Sequence, residues 1–115
     1  QQAFAQASKI TAGDGHACLL TTSGGVKCWG DNTYGQLGDG SQTQRLNPVD
    51  VSGLTSGVTS ISAGYHHTCA VTTGGGVKCW GNNDQGQLGD DSTTQRLSPV
   101  EVSGLSSGVT AIATG

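Results

Sequence analysis

The sequence contains the stretch Gly13-Asp14-Gly15-His16-Ala17-Cys18-Leu19-Leu20, then Val26-Lys27-Cys28-Trp29-Gly30, then Gly35-Gln36-Leu37-Gly38-Asp39. All three segments return 51 residues later, at 64–71, 77–81 and 86–90. Between residues 10–64 and 61–115, 37 of 55 aligned positions are identical, so the similarity extends over the whole unit. A fixed period of this length is the signature of a repeat architecture.

Each unit predicts four short strands and no helix, because apolar and β-branched runs alternate with turns rich in Gly, Ser and Thr. The runs of the first unit lie at 7–11, 16–21, 26–30 and 48–51, and their copies at 58–62, 67–72, 77–81 and 99–102. Pro48 and the alternating charge beside it are typical of an outer edge strand. Four short antiparallel strands in about 50 residues form the blade of a β-propeller, so we predict an all-β fold.

The spaced motifs G-x-x-H-x-C-x-L, G-x-V-x-C-W-G-x-N, G-Q-L-G-D and P-V resemble the RCC1 (regulator of chromosome condensation) repeat. The resemblance implies blades of a closed seven-bladed ring, which at this period needs about 357 residues. We expect a lead-in at 1–6, RCC1-like repeats at 7–57 and 58–108, and the first, inner strand of a further blade at 109–115. Either the chain is part of a longer propeller, or several copies complete one another as an oligomer.

The charge balance narrows the class of partner. The sequence has five Lys and Arg residues against eight Asp and Glu, a net charge of −3, and its cations are scattered. Nucleic-acid binding needs clustered cations, so we expect no nucleic-acid partner. No apolar run has the ~20 residues of a membrane-spanning helix. The remaining expectation is a protein partner, or other copies of the chain, with no cofactor and no metal.

The four cysteines predict two disulfides. Cys18 and Cys28 are equidistant from the turn at Ser23, and Cys69 and Cys79 have the same spacing about the next turn. Such positions face each other across a hairpin. We predict Cys18–Cys28 and Cys69–Cys79 bridges and hence an oxidising compartment, with the protein secreted or at the cell surface. The alternative is that the cysteines are small buried apolar residues of a reduced protein.

Other conspicuous residues divide into structural and binding candidates. We expect His16 and His67 to fix the turns before the second strands, and Trp29 and Trp80 to pack between blades. The two repeats differ mainly in their loops, where recognition residues usually lie on rigid scaffolds. The candidate binding residues in these loops are Asp14, Tyr34, Tyr65, His66, Asp84 and Asp91.

No nucleophile or acid–base constellation emerges, so we expect no enzyme and no catalytic residue. The sequence favours a non-enzymatic extracellular binding or structural scaffold. A first alternative is a self-assembling subunit of an extracellular filament, formed by blade-to-blade strand addition. The resemblance implies two others: a secreted protein inhibitor, since a β-lactamase-inhibitory protein shares this propeller type, and a guanine-nucleotide exchange factor like the nuclear founding member of the family.

Overall fold

The computed structural model describes residues 7–105, 108, 109, 112 and 114. It contains two antiparallel sheets of four strands each, in which neighbours in sequence are neighbours in the sheet. The first comprises β1 (Ala7–Ala12), β2 (His16–Thr21), β3 (Val26–Gly30) and β4 (Arg45–Asp50), and the second β5 (Val58–Ala63), β6 (His67–Thr72), β7 (Val77–Gly81) and β8 (Arg96–Glu101). The predicted all-β fold of four-stranded propeller blades is confirmed.

Two expectations concern residues at the chain ends. The lead-in at 1–6 lies outside the described residues, and so does most of the further first strand expected at 109–115, of which Val109, Ile112 and Thr114 are described. Within the described part of the chain, no helix is long and apolar enough to cross a membrane.

The central hairpin of each sheet has the predicted register. Cys18 lies opposite Cys28 and Leu20 opposite Val26, and the second repeat aligns Cys69 with Cys79 in the same way. The turn between β2 and β3 contains Gly24 at a φ of 89°, a left-handed conformation that glycine adopts without steric cost. The hairpin therefore follows from the local sequence.

The fourth strand begins three residues earlier than predicted, at Arg45 rather than Pro48 and at Arg96 rather than Pro99. Asp50 and Val49 pair with consecutive residues of β3 in a regular register. The register then shifts, and Arg45 pairs with Gly30. Pro48 falls within this irregular stretch of an edge strand, where a missing N–H breaks no regular ladder bond. The proline therefore lies inside the strand and does not mark its start.

The first sheet is covered by the second. One buried cluster joins both repeats: Cys18, Leu20, Val26, Cys28, Leu37, Val51 and Leu54 pack with Val58, Ile61, Ala70 and Trp80. At its centre Trp80 is fully buried, and its Nε1 donates to the Gln36 carbonyl oxygen at 2.9 Å. A Cβ on Gly38 would lie 2.7 Å from that Nε1, so only glycine admits the ring this closely. We call this contact the seam.

The equivalent face of the second sheet is less deeply buried than that of the first. Its buried residues Cys69, Val71, Val77, Cys79 and Leu88 form a separate cluster, against which Val102, Val109 and Ile112 pack while partly exposed. The space beside them is an open groove of about 430 Å³. Because the two repeats are so alike, we call this surface the open face and regard it as the counterpart of the covered face at the seam.

Candidate site at one end of the blades

The antiparallel order of the strands divides the loops between two ends. The β1–β2 and β5–β6 turns (13–15 and 64–66) and the long β3–β4 and β7–β8 loops (31–44 and 82–95) lie at one end, the loop end. The β2–β3 and β6–β7 turns and the β4–β5 connection lie at the other, the turn end. All six candidate binding residues are exposed or half-buried, and they lie in the loop-end turns and long loops of both repeats.

A single buried asparagine organises each long loop. The Asn32 Nδ2 atom donates to the carbonyl oxygens of Ser41 and Thr43 at 3.0 Å each, and its Oδ1 accepts from the Leu37 backbone N–H at 3.0 Å. Asn83 makes the corresponding three bonds in the second repeat. Neither residue is among the candidates that the sequence predicts. Their recurrence at the end of the C-W-G-x-N motif was the available signal.

A carboxylate and an arginine close each long loop. Asp90 accepts from Ser92 and from Arg96 Nε, the latter at 2.8 Å, and Asp39 pairs with Arg45 at 3.0 Å. The hydrogen bond from Ser92, with the help of Arg96, lowers the pKa of Asp90 to about 2. Within the described residues no group of His, Cys, Asp and Glu is arranged to hold a metal ion. These two carboxylates therefore stabilise the loops on which the exposed residues are carried.

Residues from both repeats meet where the loop end crosses the seam. The ring of Tyr34 lies 4.8 Å from that of His66, centroid to centroid, and the ring of Tyr65 lies 6.0 Å from His66. The backbone N–H of Asp14 donates to the Tyr65 carbonyl oxygen at 3.1 Å. Four of the six candidate binding residues thus come together, and we call them the seam group: Asp14, Tyr34, Tyr65 and His66.

The other two candidates, Asp84 and Asp91, lie in the long loop of the second repeat, and among the described residues neither forms a hydrogen bond or ring contact with the seam group. Both side chains are exposed. Asp91 has a φ of 64° and occupies the place of Gly40, whose φ is 82°. A non-glycine residue in this conformation is uncommon, although aspartate tolerates it better than most.

The structural histidine of the first repeat belongs to the seam. His16 is 4% exposed, and its Nε2 lies 2.9 Å from Thr68 Oγ1 in the other repeat. Thr68 donates its one hydroxyl hydrogen to the Gln36 carbonyl oxygen at 2.9 Å, so it must accept from His16 Nε2–H. The side chain of His16 therefore links the two blades by a hydrogen bond. His67, the counterpart, lines the groove of the open face.

Protonation of His16 weakens the fold. Burial is the main reason why the pKa of His16 is lowered from 6.5 to about 4. The neighbouring His67 and His66 lower it further, and Asp31 acts in the opposite direction. The folded state thus binds this proton less readily than the unfolded chain, and stability falls as the pH drops from 6.5 towards 4. We expect a loss of about 3 kcal/mol over this window. Burial also lowers the pKa of His67, which acts in the same direction.

Denaturant unfolding measured at several pH values between 4 and 7 checks this prediction. His16→Asn is the matched variant, since its amide keeps a donor near Thr68 without titrating in this range. The variant should lose the part of the pH dependence that His16 contributes. An unchanged slope in His16→Asn would contradict the assignment.

Both predicted disulfides are present. Cys18 is bonded to Cys28 and Cys69 to Cys79, with Cα–Cα distances of 4.0 and 4.1 Å. All four cysteines are buried within the sheets. Trp29, at the end of β3, is half-buried, whereas its counterpart Trp80 is fully enclosed by the first repeat.

Known proteins resemble the chain over most of its length. The probable E3 ubiquitin-protein ligase HERC3 of Homo sapiens is 41% identical over 110 residues, which cover 94% of this chain and 10% of HERC3. The crystal structure of human WBSCR16 superposes with a TM-score of 0.75 at 28% identity, covering 85% of this chain and 26% of that one. Yeast RCC1 (Prp20), in a crystal structure with Kap60 bound to it, gives a TM-score of 0.77 at 25% identity and covers 94% and 26%.

The expectation of a secreted or cell-surface protein, and of an extracellular scaffold, is wrong. The HERC ubiquitin ligases and yeast RCC1 are intracellular proteins of the nucleus or cytosol. The expectation rested mainly on the cysteine pairs. Hairpin geometry brings directly opposite cysteines together whatever the compartment, so the spacing reports the register of the strands and not the location of the protein.

The repeats themselves match a known family. Two sequence profiles described as the regulator of chromosome condensation (RCC1) repeat match this chain, one at residues 23–71 and 75–115 and the other at 7–36 and 58–87. The matches cover both sheets and agree with the motifs that recur at 51 residues. This chain belongs to the RCC1 repeat family.

Proposed function

We propose that the chain is a non-catalytic, protein-binding part of an RCC1 propeller and that it binds through its loop end. The observation that carries the proposal is the seam group, in which Tyr34 of one blade contacts His66 of the next at 4.8 Å. A surface assembled from two blades is held by the buried seam beneath it. Rigid support for variable loops is the usual design of a recognition surface.

The residues of the seam group are suited to contact with a protein. Tyr65 is 70% exposed although its ring is large and partly apolar. Aromatic side chains of this kind are enriched in protein interfaces because they bury much area at a low cost in conformational entropy. The family resemblance adds a precedent, since a solved structure holds yeast RCC1 with Kap60 bound.

The open face suggests a second contact. Its groove contains Leu88, Gly89 and Val102, the counterparts of Leu37, Gly38 and Val51, which lie with Trp80 at the seam. We propose that a further blade of the same family covers this face and inserts a tryptophan beside Gly89. We also propose the boundaries 7–57 and 58–108 for the two repeats.

A second copy of the chain is the other candidate for that place. The first repeat carries Trp29 at the position of Trp80, so one copy could place its first repeat against the open face of the next. Head-to-tail contacts of this kind give rings or filaments, depending on whether they close.

Site-specific photo-crosslinking tests these proposals in the cell. A benzoylphenylalanine replaces Tyr65 at the loop end, Leu105 in the groove, or Ser23 at the turn end as a control. We expect position 65 to crosslink to a different protein and position 23 to give no such product. Products of position 105 that contain two copies of the chain favour self-assembly. Equal crosslinking from positions 65 and 23 would contradict binding at the loop end.

A further inference from the structure

The charges of the chain are divided unequally between its two ends. The turns 13–15 and 64–66 and the loops 31–44 and 82–95 hold six aspartates and no Lys or Arg. The connections at the turn end, 22–25, 51–57, 73–76 and 102–105, contain no charged residue. The turns and loops of the loop end therefore carry only negative charge of their own, and Arg45 and Arg96 begin the strands that follow the long loops.

Part of this negative charge is already neutralised within the loops. Asp39 and Asp90 are paired with Arg45 and Arg96, and their side chains are 10% and 6% exposed. The remaining four form no ion pair within the described part of the chain: Asp14, Asp31, Asp84 and Asp91. Because the other two acidic residues pair with lysines along the sheets, the uncompensated carboxylates all lie at the loop end.

One of these carboxylates is fixed beside the seam group. The Oδ1 atom of Asp31 accepts from the hydroxyl and the backbone N–H of Thr33, at 2.7 and 3.1 Å. The hydrogen bond from the Thr33 hydroxyl lowers the pKa of Asp31, so the carboxylate stays ionised at neutral pH. Asp31 also lies close enough to His66 for the two to interact electrostatically. A carboxylate that is held in place therefore lies near His66, whose ring is 6.0 Å from the exposed ring of Tyr65.

This combination matches arginine. A guanidinium group is planar, so it can stack on a tyrosine ring while its N–H groups donate to a carboxylate. Lysine offers a point charge without the planar stacking surface. Tyr65 presents the exposed ring and Asp14 and Asp31 the carboxylates, while Asp84 and Asp91 extend the negative surface along the next blade.

We infer that the loop end binds a basic protein segment and that the seam group takes an arginine of that segment. The inference rests on the proposed function, because it specifies the partner of the same surface. Long-range attraction between the four uncompensated carboxylates and a basic segment also orients the partner before contact. The same charge repels nucleic-acid phosphates.

A peptide titration tests the inference. The probe is a fluorescent peptide of alternating Arg and Gly, compared with peptides in which Lys or Glu replaces Arg. We expect the Arg peptide to bind more tightly than the Lys peptide, the Glu peptide not to bind, and added salt to weaken binding. Tyr65→Ala should abolish the preference for Arg over Lys.

Two variants, changed only at exposed positions, separate a specific site from a general effect of net charge. The first is Asp14→Asn with Asp84→Thr and Asp91→Gly, the last two being the residues of the first repeat at those positions. It should bind the Arg peptide about tenfold more weakly. The second adds Thr22→Asp, Ser23→Asp and Gly74→Asp at the turn end, which restores the net charge.

If the second variant binds the Arg peptide as well as the original chain, only net charge matters and the inference is wrong. Absence of any Arg-peptide binding by the original chain also overturns it. The proposed function is tested separately by the crosslinking experiment. A crosslink from position 65 to a partner without a basic segment would support protein binding at the loop end and contradict the arginine site.

Discussion

Replacing Trp80 with alanine lowers the free energy of unfolding by about 3–5 kcal/mol, the usual cost of deleting a buried aromatic side chain. Trp80 is fully buried at the seam, where its ring packs against Gly38 in the cluster that includes Val51. The substitution removes its dispersion contacts and its hydrogen bond to Gln36, although Thr68 still donates to that carbonyl oxygen. A domain of this size has only about 5–15 kcal/mol of stability, so the loss is a large fraction.

Two further variants serve as comparisons, and urea unfolding measures the free energy of unfolding of all three. Trp80→Phe keeps an aromatic ring and removes the N–H donor, so it should cost less than Trp80→Ala and stay folded. Trp29→Ala is the matched change in the first repeat, where the ring is half-buried, and should also cost less. Equal losses for Trp80→Ala and Trp29→Ala would contradict a special role for the seam.

Reducing both disulfides lowers the free energy of unfolding by about 3 kcal/mol for each bridge. Each bridge joins residues 10 positions apart, so it restricts the unfolded hairpin by closing a short loop. The reduced chain retains the apolar packing of its cysteines, which are buried between the blades or beside the groove. We therefore expect reduction to destabilise the fold without changing the order of its strands.

Urea unfolding with and without reductant checks this prediction, and mass spectrometry verifies the state of the thiols. The variant with alanine at Cys18, Cys28, Cys69 and Cys79 is the control, because its stability should not respond to the reductant. A reduced chain with four free thiols and unchanged stability would contradict the prediction. Circular dichroism should show the same strand content in both states.

The sequence predicts the hairpins well because their determinants are local. Strands β2 and β3 have the predicted bounds, and the pairing of Cys18 with Cys28 follows from their equal distance to a glycine turn. The start of β4 is different. Arg45 joins the sheet through an irregular register with β3, a contact that no pattern in residues 45–47 indicates.

The sequence predicts which residues belong to the candidate site, but it does not predict how they are arranged in space. Differences between the repeats point to Tyr34, Tyr65 and His66, yet their contact depends on how one blade lies against the next. Asn32 was missed because a buried asparagine carries no local signal beyond its recurrence as Asn83. The inference about compartment failed for a related reason, since the same cysteine spacing follows from hairpin geometry alone.

The most direct test of the account is the environment of Trp80, because the loop end is one surface only if the seam is closed. The variant Trp29→Phe leaves Trp80 as the sole tryptophan of the chain. The account predicts blue-shifted fluorescence, little quenching by acrylamide and an indole N–H protected from hydrogen exchange. Emission typical of indole in water, with ready quenching and fast exchange of that N–H in the folded chain, would contradict it.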